Sequence, residues 1–215
     1  ELLGASPKEI VFTSGATEST NLALIGGARA NAHKGKHLVT LETEHKATLD
    51  ACLALASEGF ETTVLPVLPS GLVDLDVLTS ALRPDTILVS VLLANNEIGT
   101  LQPVAEIGSI CRERGILFHS DIAQATGKLP VRVAEMGVDL ASITAHKMHG
   151  PKGIGALFVR RGRPRVQIAP LIHGGGQERG LRSGTLCTHQ IVGLGRSCVL
   201  AGEALENGET VRLRV

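Results

Sequence analysis

The feature that most constrains this chain is an alternation. Apolar runs of strand length are separated by stretches with helical periodicity from one end to the other. Strands are expected at about residues 9–13, 37–42, 61–65, 86–94, 116–120, 138–144 and 154–159. Helices are expected at about 17–32, 46–58, 75–82, 103–114 and 190–205, with a short one near 133–136. This pattern predicts an α/β fold, a mostly parallel seven-stranded sheet with helices on both faces. Only the turn around Gly150-Pro-Lys-Gly153 separates the last two strands. That is too short for a crossover helix, so the strand at 154–159 is expected to run antiparallel.

In such a sheet, ligands sit outside the carboxyl ends of the strands. Read in order, those ends carry Ser14-Gly-Ala-Thr17, Glu44-His45, Asn95-Asn-Glu97, Asp121-Ile-Ala-Gln124 and Thr144-Ala-His-Lys147. In the first, the small residues Gly15 and Ala16 let the backbone approach an anion, and the N–H groups opening the next helix favour phosphate. An ordinary capped strand-to-helix turn has the same composition, and no Gly-Lys-Ser/Thr follows to make it a P-loop. Asp121 closes a strand that would be central, where a carboxylate needs a partner. A protonated pyridine nitrogen supplies one, and so does a buried salt bridge.

The other ends are equally double-edged when taken singly. His45 can stack on a ring or relay protons, or be a structural histidine. Asn96 and Gln124 offer amides to a ring oxygen or to loop backbone. Thr144 and His146 offer donors to a phosphate. Lys147 either bears the cost of a buried ammonium, as Schiff-base lysines do, or snorkels into water. Together, an anion turn, a stacking His, an Asp for a pyridinium and a Lys for an aldehyde form one complete pyridoxal 5'-phosphate (PLP) site. No other common cofactor needs that set.

Composition narrows the field. The 215 residues are 43% hydrophobic with formal net charge zero, so no general field for nucleic acid or acidic membranes is expected. No apolar run reaches membrane-spanning length, and no signal peptide opens the chain. Trp and Tyr are absent, which argues against base stacking. Cys52, Cys111, Cys187 and Cys198 lack metal-ligand spacing, and no metal is expected; they read as reduced thiols.

Six segments carry a resemblance: Ser14-Gly-Ala-Thr-Glu-Ser19, Thr43-Glu-His-Lys46, Asn95-Asn-Glu-Ile-Gly99, Asp121-Ile-Ala-Gln124, His146-Lys-Met-His-Gly-Pro-Lys-Gly153 and Gly174-Gly-Gly-Gln-Glu-Arg-Gly-Leu-Arg-Ser-Gly-Thr185. In order and spacing they resemble cysteine desulfurases of the iron–sulfur-cluster branch, within the class V aminotransferase superfamily of fold type I PLP enzymes. The resemblance implies the aspartate-aminotransferase-like large domain of that fold. It implies that Lys147 links to the cofactor, Asp121 pairs the pyridine nitrogen, His45 stacks on the ring, and Asn96 and Gln124 contact the ring oxygen. Ala16, Thr17, Thr144 and His146 would hold the phosphate, with Thr185 reaching across from the second subunit of a homodimer. The implied reaction turns L-cysteine into L-alanine and passes the sulfur to an enzyme cysteine as a persulfide. That sulfur would go to an iron–sulfur scaffold or another acceptor protein, for cluster assembly and tRNA thiolation. A bacterial cytoplasm or a mitochondrial matrix would house it.

The resemblance also places the persulfide-forming cysteine and the arginine that clamps the substrate carboxylate beyond Val215. The chain is therefore expected to be a fragment, inactive by itself, with a PLP-binding large domain over 1–190. Residues 191–215 would begin the helix that leads into a small C-terminal domain. Cys187, the cysteine nearest the expected site, is expected to be a small buried hydrophobe. Selenocysteine lyase, another class V enzyme, and a non-catalytic scaffold that keeps the fold are the competing readings.

Overall fold

The structure, a computed structural model, describes residues 1–208. Among them, seven strands form one sheet: β1 (Ile10–Thr13), β2 (His37–Leu41), β3 (Glu61–Leu65), β4 (Thr86–Ser90), β5 (Leu117–Asp121), β6 (Leu140–Thr144) and β7 (Gly155–Val159). Their spatial order is β1-β7-β6-β5-β4-β2-β3. Only β7 breaks the parallel pattern, pairing antiparallel with both β6 and β1 as the short Gly150–Gly153 connection requires. The chain winds outward from β2 to β3, crosses back to β4, and then proceeds the other way through β5 and β6. That reversal opens a crevice at the carboxyl ends of the central strands.

Helices α1 (Ala16–Asn21), α2 (Gly27–Asn31), α3 (Lys46–Ala56), α4 (Leu75–Ala81), α5 (Val104–Arg114) and α6 (Thr188–Glu206) complete the described residues. Every residue of β2, β4, β6 and β7 is buried, because both faces of the sheet are covered. Successive side chains point to opposite faces. Leu38, Leu88, Leu140 and Leu157 therefore fill one core, while Val39, Val89, Ala141 and Phe118 fill the other. Each fully buried side chain of this size contributes about 1.5–3 kcal/mol.

Four expectations need correction. The helix over 17–32 is one continuous run, but Leu22–Gly26 forms a π turn inside it. There the Gly26 carbonyl accepts the Ala169 N–H at 2.9 Å, and a Cβ at Gly26 would lie 2.4 Å from the Ala169 oxygen. The strand expected over 86–94 stops at Ser90, although Val91 and Leu93 still donate to the His119 and Asp121 carbonyls. Residues 91–94 are apolar because they are packed under the site, not because they extend the full ladder. The segment near 133–136 is a hydrogen-bonded turn and not a helix. It is closed by Gly137 at φ 66°, which leaves no room for the helix to propagate. Finally, Cys187 is exposed: it is the residue preceding α6, with its Sγ 3.5 Å from His189 Nε2.

α6 begins at Thr188, and no helix among the described residues is long and apolar enough to cross a membrane. The final seven positions of the segment expected to lead into a further domain, 209–215, lie outside the described residues.

Candidate active site

A cavity of about 480 Å³ opens at the carboxyl ends of β1, β2, β4, β5 and β6. Nine of the ten residues singled out in the sequence line it: Ala16, Thr17, His45, Asn96, Asp121, Gln124, Thr144, His146 and Lys147. Thr185 does not. It is exposed on the loop before α6.

One pole of the cavity is formed by the turn between β1 and α1, whose groups could hold an anion. Gly15 follows β1 with φ 155°, a conformation that L side chains rarely adopt, and leads into the first turn of α1. Its Cα lies 2.6 Å from where a Cβ on Gly155 would be, so the turn and the start of β7 need glycine on both sides. The first N–H groups of a helix have no intrahelical acceptor and point outward. Residues 16–31 supply such an end. Thr144 Oγ1 and His146 Nδ1 share a 3.0 Å hydrogen bond beside it. Burial and the charges of Lys147 and Lys152 lower the pKa of His146, which favours the neutral ring.

A second tether fixes this turn. Glu18 accepts the Ser14 N–H at 2.8 Å and the Arg182 Nε–H at 2.8 Å. Burial pushes the Glu18 carboxyl up, but the bonds from Arg182 and Ser14 outweigh it and hold the pKa below the ordinary value. The glycine-rich segment is tied down further where Glu178 accepts the Phe12 N–H at 2.8 Å and Arg179 Nη2 donates to the Ile10 carbonyl at 2.6 Å.

The opposite pole carries Asp121 at the end of the central strand. Its Oδ1 accepts the Ala123 N–H at 2.9 Å. Burial raises its pKa, while that hydrogen bond and the nearby His45 and Lys147 pull it back down. His45 precedes α3 and accepts the Ala47 N–H on Nδ1 at 3.1 Å, acting as the helix cap. A neutral His45 therefore carries its proton on Nε2. Gln124 Oε1 is held by Lys128 Nζ at 2.9 Å, and Asn96 Nδ2 donates to Glu97 Oε1 at 2.8 Å. The neighbouring Asn95 is a structural amide, bridging Thr43 O and the Glu97 N–H.

The two readings left open for Lys147 are now distinguished: it stands exposed on the 3-10 turn Ala145–Met148 that follows β6. The turn lifts the ammonium off the sheet, where water lessens the cost of its charge. α6 packs on the segment that follows, with Gln190 Nε2 donating to the Lys152 carbonyl at 3.1 Å. A Cβ on Gly150 would lie 2.3 Å from Ser197 Oγ.

Sequence reasoning missed two lining or supporting groups. Lys152 lines the cavity, yet its Gly-Pro-Lys-Gly context reads as a turn. Glu44 is 6% exposed and accepts the Leu92 N–H at 2.6 Å. Its position between an apolar strand and His45 was the available signal. Chemically, the cavity pairs an anion cradle and a free amine with a carboxylate, an imidazole and two amides.

Comparison with known proteins now places the chain. A family model described as aminotransferase class-V matches residues 1–207. The chain belongs to the class V aminotransferase family. It is 56% identical over its whole length to the cysteine desulfurase IscS of Klebsiella pneumoniae, covering 52% of that protein. It is 57% identical to a cysteine desulfurase of Mus musculus, over 95% of this chain and 44% of the mouse protein. A solved NifS-like protein superposes with a TM-score of 0.91 at 45% identity, covering 96% of this chain and 56% of the other. A structure described as SspA in complex with cysteine gives 0.87 at 48% identity, covering 92% and 56%. The chain spans about half the length of the curated relatives it matches.

Proposed function

We propose that this chain is the cofactor-binding part of a cysteine desulfurase that uses PLP to convert L-cysteine into L-alanine. The observation that carries the reading is the cavity itself, which gathers an anion-binding turn, Lys147, His45 and Asp121 from four separate strand ends. Its donor set fits PLP. Unpaired N–H groups, the hydroxyls of Thr17 and Thr144, and His146 suit a phosphate, the amine of Lys147 suits an aldehyde, and a carboxylate at the far pole suits a pyridine nitrogen. The open backbone at Gly15, with Thr144 Oγ1 at 3.7 Å as the nearest atom to an added Cβ, leaves room for phosphate oxygens.

PLP, when bound, supplies an electron sink that draws charge from the substrate carbons. The protein's own residues then have distinct tasks. Lys147 offers the amine that holds the cofactor aldehyde and returns protons to the substrate. Asp121 keeps the ring nitrogen protonated. His45 covers the ring, and its Nε2–H faces away from the Ala47 cap and is free to move a proton. Asn96 and Gln124 orient the ring oxygen. The net reaction balances when a thiolate attacks the cysteine sulfur. The carbon–sulfur bond breaks, the thiol becomes a persulfide, and a proton replaces sulfur on the product alanine.

The relatives support the substrate. The Klebsiella and mouse relatives are called cysteine desulfurases, and the SspA structure is described as a complex with cysteine. Thr185 acting across a homodimer, residues 1–190 as the cofactor domain and delivery of sulfur to an iron–sulfur scaffold belong to the same proposal. Incubating the full-length protein with PLP, cysteine and a thiol reductant, and measuring alanine and sulfide in equal amounts, tests it. Formation of pyruvate and ammonia in place of alanine would overturn it.

A further inference from the structure

Behind Asp121 lies a group that the proposed chemistry does not use. Glu44 follows β2 and is 6% exposed. Its Oε1 accepts the Leu92 N–H at 2.6 Å, and its Oε2 has no partner among the described residues. The buried hydroxyls of Thr43 and Thr48, close by in sequence, and of Ser120, which precedes Asp121, are likewise unpartnered. No ion pair reaches Glu44 among the described residues. The titratable groups that bear on it are Asp121 from the end of β5 and Cys52 from α3, and neither brings a positive charge.

We propose that Glu44 is a positioning residue for Asp121, keeping its own proton so that Asp121 is the one anionic carboxyl at the ring end of the cavity. The proposal rests on the PLP reading, in which Asp121 faces the pyridine nitrogen. A buried carboxylate without a cation is strongly disfavoured, and two carboxylates in one polar space are worse. One proton shared by the pair therefore settles on whichever carboxyl lacks cationic neighbours. His45 and Lys147 act on Asp121, whereas burial and the Asp121 charge push Glu44 up to about 8. A neutral Glu44 still accepts the Leu92 N–H on its carbonyl oxygen. In this way Glu44 fixes the Leu92 backbone that lines the cavity without adding a second negative charge.

Infrared spectroscopy of the cofactor-free protein, with glutamate carboxyls isotope-labelled, tests this. At about pH 6 the wild type should show the carbonyl stretch of a protonated, buried glutamic acid, lost on titration to about pH 10. Glu44→Gln should lack the band. Asp121→Asn should keep it, with the midpoint of loss moved to lower pH, because the Asp121 charge that raises it is gone. With PLP bound, the visible spectra of wild type and Glu44→Gln should differ in their pH titrations around about pH 8. Absence of the labelled band in the wild type, or a midpoint unmoved in Asp121→Asn, overturns the proposal, as do superimposable visible titrations. If Glu44→Gln fails to fold, the wild-type and Asp121→Asn titrations still decide it. Failure of the PLP reading is distinguishable: the protein then takes up no PLP, whatever the infrared band does.

Discussion

Arg182 grips Glu18 with two nitrogens, Nε to Oε1 at 2.8 Å and Nη2 to Oε2 at 3.3 Å, across 164 positions of sequence. Both side chains are mostly buried, at 20% and 19% exposed. The pair joins the glycine-rich segment to the turn between β1 and α1, because the same Glu18 carboxylate holds the Ser14 N–H.

Removing one partner leaves a partly buried charge behind. Arg182→Met is therefore expected to destabilise the protein by about 1–3 kcal/mol, read as a lower urea midpoint. The double variant Glu18→Gln/Arg182→Met should recover part of that loss. Additive losses would show that the two side chains do not depend on each other.

His45 has a structural duty and a proposed chemical one, and substitution separates them. His45→Ala should lose the Ala47 cap and cost about 0.5–2 kcal/mol. His45→Asn restores a capping oxygen, so thermal stability should return close to wild type while turnover of the full-length protein stays depressed by about tenfold or more. Recovery of turnover in His45→Asn would confine His45 to the cap.

Much of this was legible in the sequence because two periodicities are hard to disguise. Fully buried parallel strands must be continuous apolar runs, and a four-residue turn cannot carry a crossover, so the sheet and the antiparallel β7 follow from pattern alone. Strand-end polar groups were legible for the same reason: Asp121, Asn96 and His45 interrupt apolar sequence. The rest depends on contacts distant in sequence. The π turn at Leu22–Gly26 exists because Ala169 takes the Gly26 carbonyl. Lys147 could be read as buried or as reaching water, because the apolar run ends only three residues earlier, and the 3-10 turn decides for exposure. Glu44 showed no role because the Leu92 N–H it holds lies 48 positions away.

Stability should depend on pH through Glu44. Its folded pKa, about 8, is above the ordinary 4.5, so the folded protein holds a proton that the unfolded chain releases. That contribution is complete below about pH 4.5 and is lost progressively as pH rises to about 8. Urea unfolding of wild type and Glu44→Gln across this range should give a difference that shrinks the wild type's relative stability as pH rises. Parallel profiles would show that Glu44 is ionised in the folded state.

Asp121→Asn should leave the fold intact, since the amide oxygen can still accept the Ala123 N–H. An amide cannot stabilise a pyridinium charge, so turnover of the full-length protein should fall by at least about tenfold, 1.4 kcal/mol of barrier. Unchanged turnover would remove Asp121 from the site.

The central claim is that Lys147 holds PLP, and one measurement meets it directly. The protein is loaded with PLP, reduced with borohydride, digested and mapped by mass spectrometry. The account predicts a yellow protein before reduction and the reduced cofactor on the peptide containing Lys147. A label on Lys152 or Lys128 in its place would contradict it.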